Sequence, residues 1–159
     1  MKNVGPVRKE LGERTMFNIL GPLTNPANSS FQLLGVYDVS LVEKLAEVLS
    51  NLGVTRGMAV CGSDGLDEIT LTGPSHCCEI REGIFRSYDI TPEQFGMKRC
   101  EMSDLIGGTP EENAEITRGI LSGKITGAKR DIVILNAGTA IYLGKIGITL
   151  EEGIKEAAE

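Results

Sequence analysis

Residues 31–61 carry the pattern that most constrains how this chain can fold. Two short apolar runs, at 31–37 and 57–61, predict strands, and the segment between them has the pattern of an amphipathic helix. Ser40 is placed to cap this helix, with Glu43 completing a capping box, and Gly53 follows its end. Strand, helix and strand joined by short links predict a βαβ unit, with parallel strands and a right-handed crossover. The apolar stripe of the helix, which we expect to be buried, comprises Leu41, Leu45, Val48, Leu49 and Leu52.

Shorter strands and further helices are predicted on either side of this unit. Residues 69–72, 77–80 and 84–88 indicate strands, and residues 81–83 would form the turn of a β-hairpin between the last two. A helix is predicted at 3–11, and residues 97–108 are predicted to be a loop. Capping patterns that begin at Thr91, Thr109 and Thr149 predict three more helices. The predicted fold class is therefore α/β: a mostly parallel sheet flanked by helices, with a β-hairpin in the middle.

Composition excludes several classes of function. The 159 residues predict one domain, with 16 basic against 22 acidic side chains and a net charge of −6. An acidic chain lacks the basic face that nucleic-acid binding requires, so we expect no nucleic-acid partner. No apolar run approaches the ~18 residues of a membrane span, and the first residues do not resemble a signal peptide. The expected location is therefore cytoplasmic, without membrane association.

The cysteines do not indicate a zinc site. The four cysteines form no C-x-x-C pair, and His76 is the only histidine. His76, Cys77 and Cys78 are adjacent, but neighbouring side chains on a strand point to opposite faces of the sheet. We therefore interpret the cysteines as reduced, small apolar residues.

Residues 15–26, T-M-F-N-I-L-G-P-L-T-N-P, join a short apolar run to two consecutive stops. The first stop is Gly21-Pro22 and the second is Thr24-Asn25-Pro26, where proline fixes one backbone angle and removes a hydrogen-bond donor. The segment predicts one or two helical turns that end at a rigid corner. The corner could be a plain helix-to-strand connection or a fixed wall of a binding site, and the pattern alone does not decide between them.

Residues 62–68, G-S-D-G-L-D-E, place three carboxylates directly after a predicted strand. Ligands in open α/β sheets bind beyond the carboxyl ends of the strands. The adjacent acids Asp67 and Glu68 repel each other unless a cation lies between them, and Mg²⁺ accepts one or two carboxylates together with substrate phosphate oxygens. A solvated acidic loop and a metal site are equally compatible with this pattern.

Four motifs resemble the anthranilate phosphoribosyltransferase family. They are V-R-K-E-L-G-x-R-T-x-F-N-x-L-G-P-L-T-N-P at 7–26, Q-L-L-G-V-Y-D at 32–38, the acidic run at 62–68 and E-E-N-A at 111–114. The resemblance covers essentially the whole chain and implies that residues 1–159 form a partial α/β catalytic domain of the nucleoside phosphorylase/phosphoribosyltransferase type. It also implies that residues 131–136, where β-branched residues favour a strand, belong to a helix, and the Ala-rich continuation to 143 supports that interpretation.

The resemblance implies an activity and a set of site residues. The family transfers phosphoribosyl from phosphoribosyl pyrophosphate (PRPP) to the amine of anthranilate, in tryptophan biosynthesis and with Mg²⁺ as cofactor. Asp67 and Glu68 match the magnesium-binding pair, Arg8 matches the arginine that holds the anthranilate carboxylate, and Gly21 and Pro22 match positions lining the anthranilate tunnel. The expected partners are anthranilate and PRPP, and the full-length enzyme is expected to be a homodimer.

The sequence departs from the family in one respect. The family's N-terminal helical domain and its glycine-rich PRPP loop of the form G-T-G-G-D have no counterpart in these residues. We therefore expect a piece of the transferase that lacks most of the donor site and is inactive alone. Two alternatives stay open: a non-catalytic half that pairs with a separate chain, and an enzyme similar to pyrimidine nucleoside phosphorylase.

Overall fold

A computed structural model describes Glu10 and residues 17–159 of the chain. The predicted helix at 3–11 therefore lies outside the described residues, apart from Glu10, which is helical. The strands are β1 (Phe31–Gly35), β2 (Arg56–Gly62), β3 (Ser75–Arg81) and β4 (Ile84–Ile90). The α-helices are α1 (Phe17–Leu23), α2 (Val42–Asn51), α3 (Met102–Leu105), α4 (Pro110–Leu121), α5 (Ala128–Gly144) and α6 (Leu150–Ala157), with 3₁₀ turns at Val39–Leu41 and Pro92–Phe95.

The four strands form one sheet in the order β1-β2-β3-β4. β1 and β2 pair in parallel around α2, which confirms the βαβ unit, and β3 and β4 form the predicted hairpin. Glu82 and Gly83 both have positive φ, 48° and 81°, as a two-residue hairpin turn requires. The α/β class is confirmed.

The prediction of a mostly parallel sheet needs correction within the described residues. Only β1 and β2 are parallel there, whereas β2–β3 and β3–β4 are antiparallel. A parallel return needs a long crossover that is usually a helix, and residues 63–74 between β2 and β3 contain no helix. The short link therefore brings β3 back in the opposite direction.

Helix α2 begins differently from the prediction. Asp38, not Ser40, supplies the first cap, because its carboxylate accepts a hydrogen bond of 2.9 Å from the Ser40 N–H and starts a 3₁₀ turn. The buried stripe is also rotated, since it consists of Val42, Leu45, Ala46 and Leu49. Val48 and Leu52, which were expected inside, are exposed.

The sheet separates two apolar cores. One core contains Leu34, Leu45, Leu49 and Cys78 on the α2 side, and the other contains Met58, Cys77, Leu135 and Leu143 on the α5 side. Adjacent Cys77 and Cys78 therefore face opposite cores, as the alternation of a strand requires. Both thiols are buried and free of disulfides.

Helices α5 and α6 pack closely because two glycines leave room between them. A Cβ atom at Gly138 would lie 2.4 Å from the Ile154 Cα, and one at Gly153 would lie 2.5 Å from the Gly138 carbonyl oxygen. Residues 131–136 are helical as predicted, so the strand interpretation of that stretch is wrong. The capping boxes at Thr91, Thr109 and Thr149 are confirmed.

Three local predictions are wrong. Residues 69–72 form no strand, because their polar groups bond to α5 and to Asp64. Residues 97–108 contain the short helix α3. Helix α1 continues through Gly21 and Pro22 to Leu23, where the Thr24 N–H and hydroxyl both bond to the Leu20 carbonyl at 3.1 and 3.0 Å. Among the described residues, no helix is long and apolar enough to cross a membrane.

Candidate functional site

The acid loop, residues 63–74 between β2 and β3, is shaped by Asp64. The Asp64 carboxylate accepts hydrogen bonds from the hydroxyls of Thr70 and Thr72, each 2.6 Å, and from the Leu66 N–H at 2.9 Å. Burial by itself raises the pKa of Asp64, but these three bonds outweigh it and the pKa lies below its ordinary value. Asp64, one of the three carboxylates noted in this motif, therefore folds the loop.

The remaining two carboxylates, Asp67 and Glu68, form an exposed acid pair. Partial desolvation raises the pKa of Glu68, and the negative charge of Asp67 raises it further by a smaller amount. The next residue is fixed to α5, since the Asn136 side chain accepts from the Ile69 N–H and donates to the Ile69 carbonyl, both at 2.9 Å. The pair is thus held together on a rigid support, where a bound cation would relieve its repulsion.

Gly35 allows β1 to touch the acid loop. A Cβ atom built on Gly35 would lie 1.6 Å from the Asp67 carbonyl oxygen, so only glycine lets the two backbones approach this closely. The end of the first parallel strand therefore sets the position of Asp67. Sequence reasoning missed this contact, although a glycine inside an apolar strand is a known signal of close backbone approach.

A small pocket between α1 and β1 brings Pro22 and Asp67 together. The pocket has a volume of about 110 Å³, and Ile19, Tyr37 and Leu41 also line it. The Pro22 carbonyl accepts a hydrogen bond of 3.2 Å from the Gln32 side chain, which ties α1 to β1. The end of α1 is therefore attached to the strand whose end contacts the acid loop.

The predicted site residues are thus only partly assembled in the described structure. Pro22 and Asp67 line one pocket beside the end of β1, whereas Glu68 follows Asp67 in the chain and does not line that pocket. Gly21 is exposed beside Pro22 and does not line the pocket, and no atom lies within 4 Å of the position of a Cβ there. Arg8 lies outside the described residues.

The donor set of the acid pair suits a hard cation. Within the described part of the chain, no group of three or more His, Cys, Asp or Glu side chains could hold a metal ion. Two carboxylates alone match the way Mg²⁺ binds when water and substrate phosphates complete its octahedron. The residues present fit magnesium better than zinc, which needs about four nitrogen or sulfur ligands.

A second cleft, of about 500 Å³, lies on the β3–β4 side of the acid loop and is bordered by His76. His76 Nε2 is 2.7 Å from Glu43 Oε1 on α2, and Nδ1 is 2.7 Å from Asp89 Oδ1 on β4. Both bonds raise the pKa of His76, and the bond to Glu43 has the larger effect. The same bond lowers the pKa of Glu43. Glu43, predicted to cap α2, instead links that helix to the hairpin.

The chain resembles proteins about twice its length. It is 56% identical over 159 residues to "Anthranilate phosphoribosyltransferase" of Endomicrobium trichonymphae, covering all of this chain and 47% of that protein. The anthranilate phosphoribosyltransferase of Thermus thermophilus superposes with a TM-score of 0.88 at 43% identity, over 99% of this chain and 46% of the other.

The Saccharomyces cerevisiae enzyme of the same name superposes equally well, with a TM-score of 0.88 at 30% identity over 100% of this chain and 46% of that one. It was solved in complex with PRPP and Mg, and separately with 4-fluoroanthranilate. The resemblance found in the sequence is confirmed by these names. A family model described as "Glycosyl transferase family, a/b domain" matches residues 1–159. The chain therefore belongs to the glycosyl transferase family and matches its α/β domain throughout.

Proposed function

We propose that this chain is the α/β part of an anthranilate phosphoribosyltransferase of tryptophan biosynthesis. The observation that carries the proposal is the pocket beside the end of β1 that Pro22 and Asp67 both line, with Glu68 next to Asp67 in the chain. Its support is the likeness to a yeast enzyme solved with PRPP and Mg and with 4-fluoroanthranilate. We also propose that the protein acts in the cytoplasm and that the full-length enzyme is a homodimer.

In this reaction the anthranilate nitrogen forms a bond to the ribose C1 of PRPP, and the bond from C1 to the pyrophosphate oxygen breaks. The nitrogen loses a proton, and the pyrophosphate leaves with the bonding electrons. Positive charge grows on the sugar while negative charge grows on the leaving group, so positioning and charge stabilisation supply most of the catalysis.

The acid pair would hold the metal. Asp67 and Glu68 are the residues that would bind Mg²⁺, which when bound neutralises the charge that grows on the pyrophosphate. Asp64 keeps the loop folded, and Gly35 and Asn136 fix the backbone on either side of the pair. The raised pKa of Glu68 means that proton loss from this residue and cation binding favour each other.

The acceptor would lie against Gly21 and Pro22 in the last turn of α1. Pro22 supplies a rigid wall that α1 and Gln32 hold in place. Arg8 would bind the anthranilate carboxylate, because a planar guanidinium can donate two parallel hydrogen bonds to a carboxylate and lysine cannot. Such a charge-assisted bond contributes ~1.5–3 kcal/mol.

We further propose that the isolated chain is inactive, because it carries the metal pair and part of the acceptor site without the glycine-rich donor loop. The chain spans about half the length of the curated relatives it matches. That share also supports the alternative in which this half pairs with a separate chain that supplies the remainder of the site.

The test is an assay of anthranilate fluorescence with PRPP and Mg²⁺. The chain is measured alone and together with the part of the Endomicrobium trichonymphae protein that it does not cover. We expect no turnover alone and turnover in the mixture. The double variant Asp67→Asn/Glu68→Gln should lower the rate of the mixture at least ~100-fold, whereas Glu47→Gln/Glu151→Gln, with the same charge change on exposed helical surface, should not. A silent mixture would contradict a complementing half, and an active acid-pair variant would contradict the metal assignment.

A further inference from the structure

A cleft of about 590 Å³ lies away from the acid pair, between the first turn of α5, the second half of α6 and residues 95–100. We call it the basic cleft. Its floor is apolar and includes Phe95, Met97, Ile134 and Ile154, of which the last two are buried. A cavity with an apolar floor and polar groups at its rim is the usual form of a small-molecule site.

The rim of the basic cleft concentrates positive charge in an acidic protein. Lys98, Arg99, Arg130 and Lys155 all line it, a quarter of the 16 basic residues in a chain of net charge −6. Lys98 and Lys155 form no ion pair with any other described residue. Asp131 is the carboxylate on the lining, and it lies 3.7 Å from an Arg130 nitrogen.

The two arginines at the rim are held in place. Arg99 donates through Nε to Glu93 Oε1 at 2.6 Å, and Arg130 donates to the Ala158 carbonyl at 3.3 Å. These bonds restrain the two side chains, which lowers the entropy cost of binding an anion. The two lysines lie on different elements, Lys98 after the 3₁₀ turn and Lys155 in the last turn of α6.

We propose that the basic cleft binds a small organic anion, in which a phosphate or carboxylate group is attached to an apolar body. The cations at the rim take the charged group and the apolar floor takes the body. An inorganic anion uses only the rim, and an uncharged aromatic compound uses only the floor. Both therefore bind more weakly than the combined ligand.

The walls of the basic cleft are bonded to the acid loop. The Cys100 N–H donates to the Leu71 carbonyl at 3.2 Å, and Asn136 of α5 holds Ile69 from both sides. A ligand that stiffens residues 95–100 and α5 therefore slows hydrogen exchange at Ile69 and Cys100. This site is separate from the proposed transferase function and does not rest on it, because binding here requires neither anthranilate nor the other half of the enzyme.

The experiment is a titration of the 159-residue protein at low salt, by calorimetry and by NMR of the backbone amides. Phenyl phosphate and benzoate are the probes, and inorganic phosphate and benzyl alcohol are the controls. Lys98→Gln/Lys155→Gln is compared with Lys44→Gln/Lys124→Gln, which removes the same charge at other exposed positions. The cleft variant should weaken binding roughly tenfold and the control variant should leave it unchanged.

Amide shifts around Phe95, Cys100 and Ala128 with either probe, lost in the cleft variant, would support the proposal and show which anionic group is preferred. Equal affinities of the two double variants would overturn it, because the binding would then follow net charge alone. Inorganic phosphate binding as tightly as phenyl phosphate would also overturn it, since the floor would then contribute nothing. Absence of any shift at these amides would do the same.

Discussion

His76 lies between two carboxylates on different elements, with Glu43 on α2 and Asp89 on β4. When His76 is protonated both ring nitrogens donate, so the imidazolium joins helix to hairpin. Ser87 of β4 adds a bond of 3.1 Å to the same Glu43 oxygen. The three ionisable side chains are between 30% and 63% exposed, so the gain is small, within the ~0–1 kcal/mol of surface pairs.

This arrangement predicts a pH-dependent contribution to stability. The pKa of His76 is raised above its ordinary value of 6.5, so its contribution is complete below that value and is lost as the pH rises through the folded pKa. The pKa of Glu43 is lowered, so the contribution also fades when acid protonates that group. Urea unfolding from pH 5 to 9 should show His76→Gln less stable than the parent near pH 6 and equal to it near pH 9. Glu47→Gln on the same helix is the control, and a difference that stays constant with pH would contradict the prediction.

We expect the Glu68 side chain to destabilise the fold, in contrast to His76, which stabilises it. Desolvation and Asp67 raise its pKa, so its charged form is disfavoured in the folded chain at neutral pH. In EDTA at pH 7.5, Glu68→Gln should raise the melting temperature by about 1 °C, whereas Glu151→Gln should not. With Mg²⁺ and pyrophosphate present, the parent should gain stability and the variant should gain much less. A variant that melts below the parent in EDTA would show that Glu68 stabilises the fold.

At the scale of elements, the contact between α5 and α6 depends on glycine. Gly138→Ala places a methyl group 2.4 Å from backbone of α6, so the helices must separate, and we expect a loss of about 1–3 kcal/mol. Gly144→Ala, in the last turn of the same helix, meets no atom within 4 Å and should be neutral or stabilising by up to ~1 kcal/mol. Urea unfolding measures the stability of both variants. Equal changes in the free energy of unfolding would mean that helix propensity, not the contact with α6, determines the effect of these substitutions.

Several elements whose signals are local were predicted correctly. The capping boxes at Thr91, Thr109 and Thr149 involve residues three apart, and the βαβ unit follows from short apolar periods. Elements that depend on distant partners were not. Glu43 bonds to His76, 33 residues away in sequence, instead of capping its helix. The backbone of Ile69 bonds to Asn136, 67 residues away, instead of joining a strand.

In the candidate site too, features with a local sequence signal were proposed from the sequence, and features that depend on tertiary structure were missed. The acid pair and Gly21-Pro22 were proposed as site residues from sequence, through position after a strand and through resemblance, although the corner expected at Gly21-Pro22 is replaced by continuing helix. The pocket that Pro22 and Asp67 both line depends on how α1 and the acid loop are placed in the fold, which no local pattern contains. The separate role of Asp64 was also missed, since it depends on two threonine hydroxyls that fold back onto it.

At the scale of the whole molecule, both edge strands of the sheet, β1 and β4, lack a further partner strand among the described residues, and the β1 edge lies next to an exposed apolar face. β1 pairs only with β2, and beside it Phe31 of β1 and Val133, Ala137 and Ala140 of α5 are exposed. An unpaired strand edge next to apolar surface promotes association.

We therefore expect the isolated chain to self-associate as its concentration rises. Sedimentation velocity over a concentration series measures this directly. Val133→Glu should weaken the association, whereas Leu121→Glu, which charges an exposed apolar position on α4, should leave it unchanged. A monomer at every concentration would contradict the prediction.

The two neighbouring thiols on β3 can report how this molecule opens. Burial raises the pKa of Cys77 to about 12 and also raises the pKa of Cys78, so neither is reactive while the fold is closed. The two thiols face opposite cores. The rate of Cys77 alkylation therefore reports how often α5 detaches from the sheet, and the rate of Cys78 alkylation reports how often α2 detaches. Equal labelling rates would mean that the sheet loses both layers in one cooperative event, and unequal rates would identify the layer that detaches first.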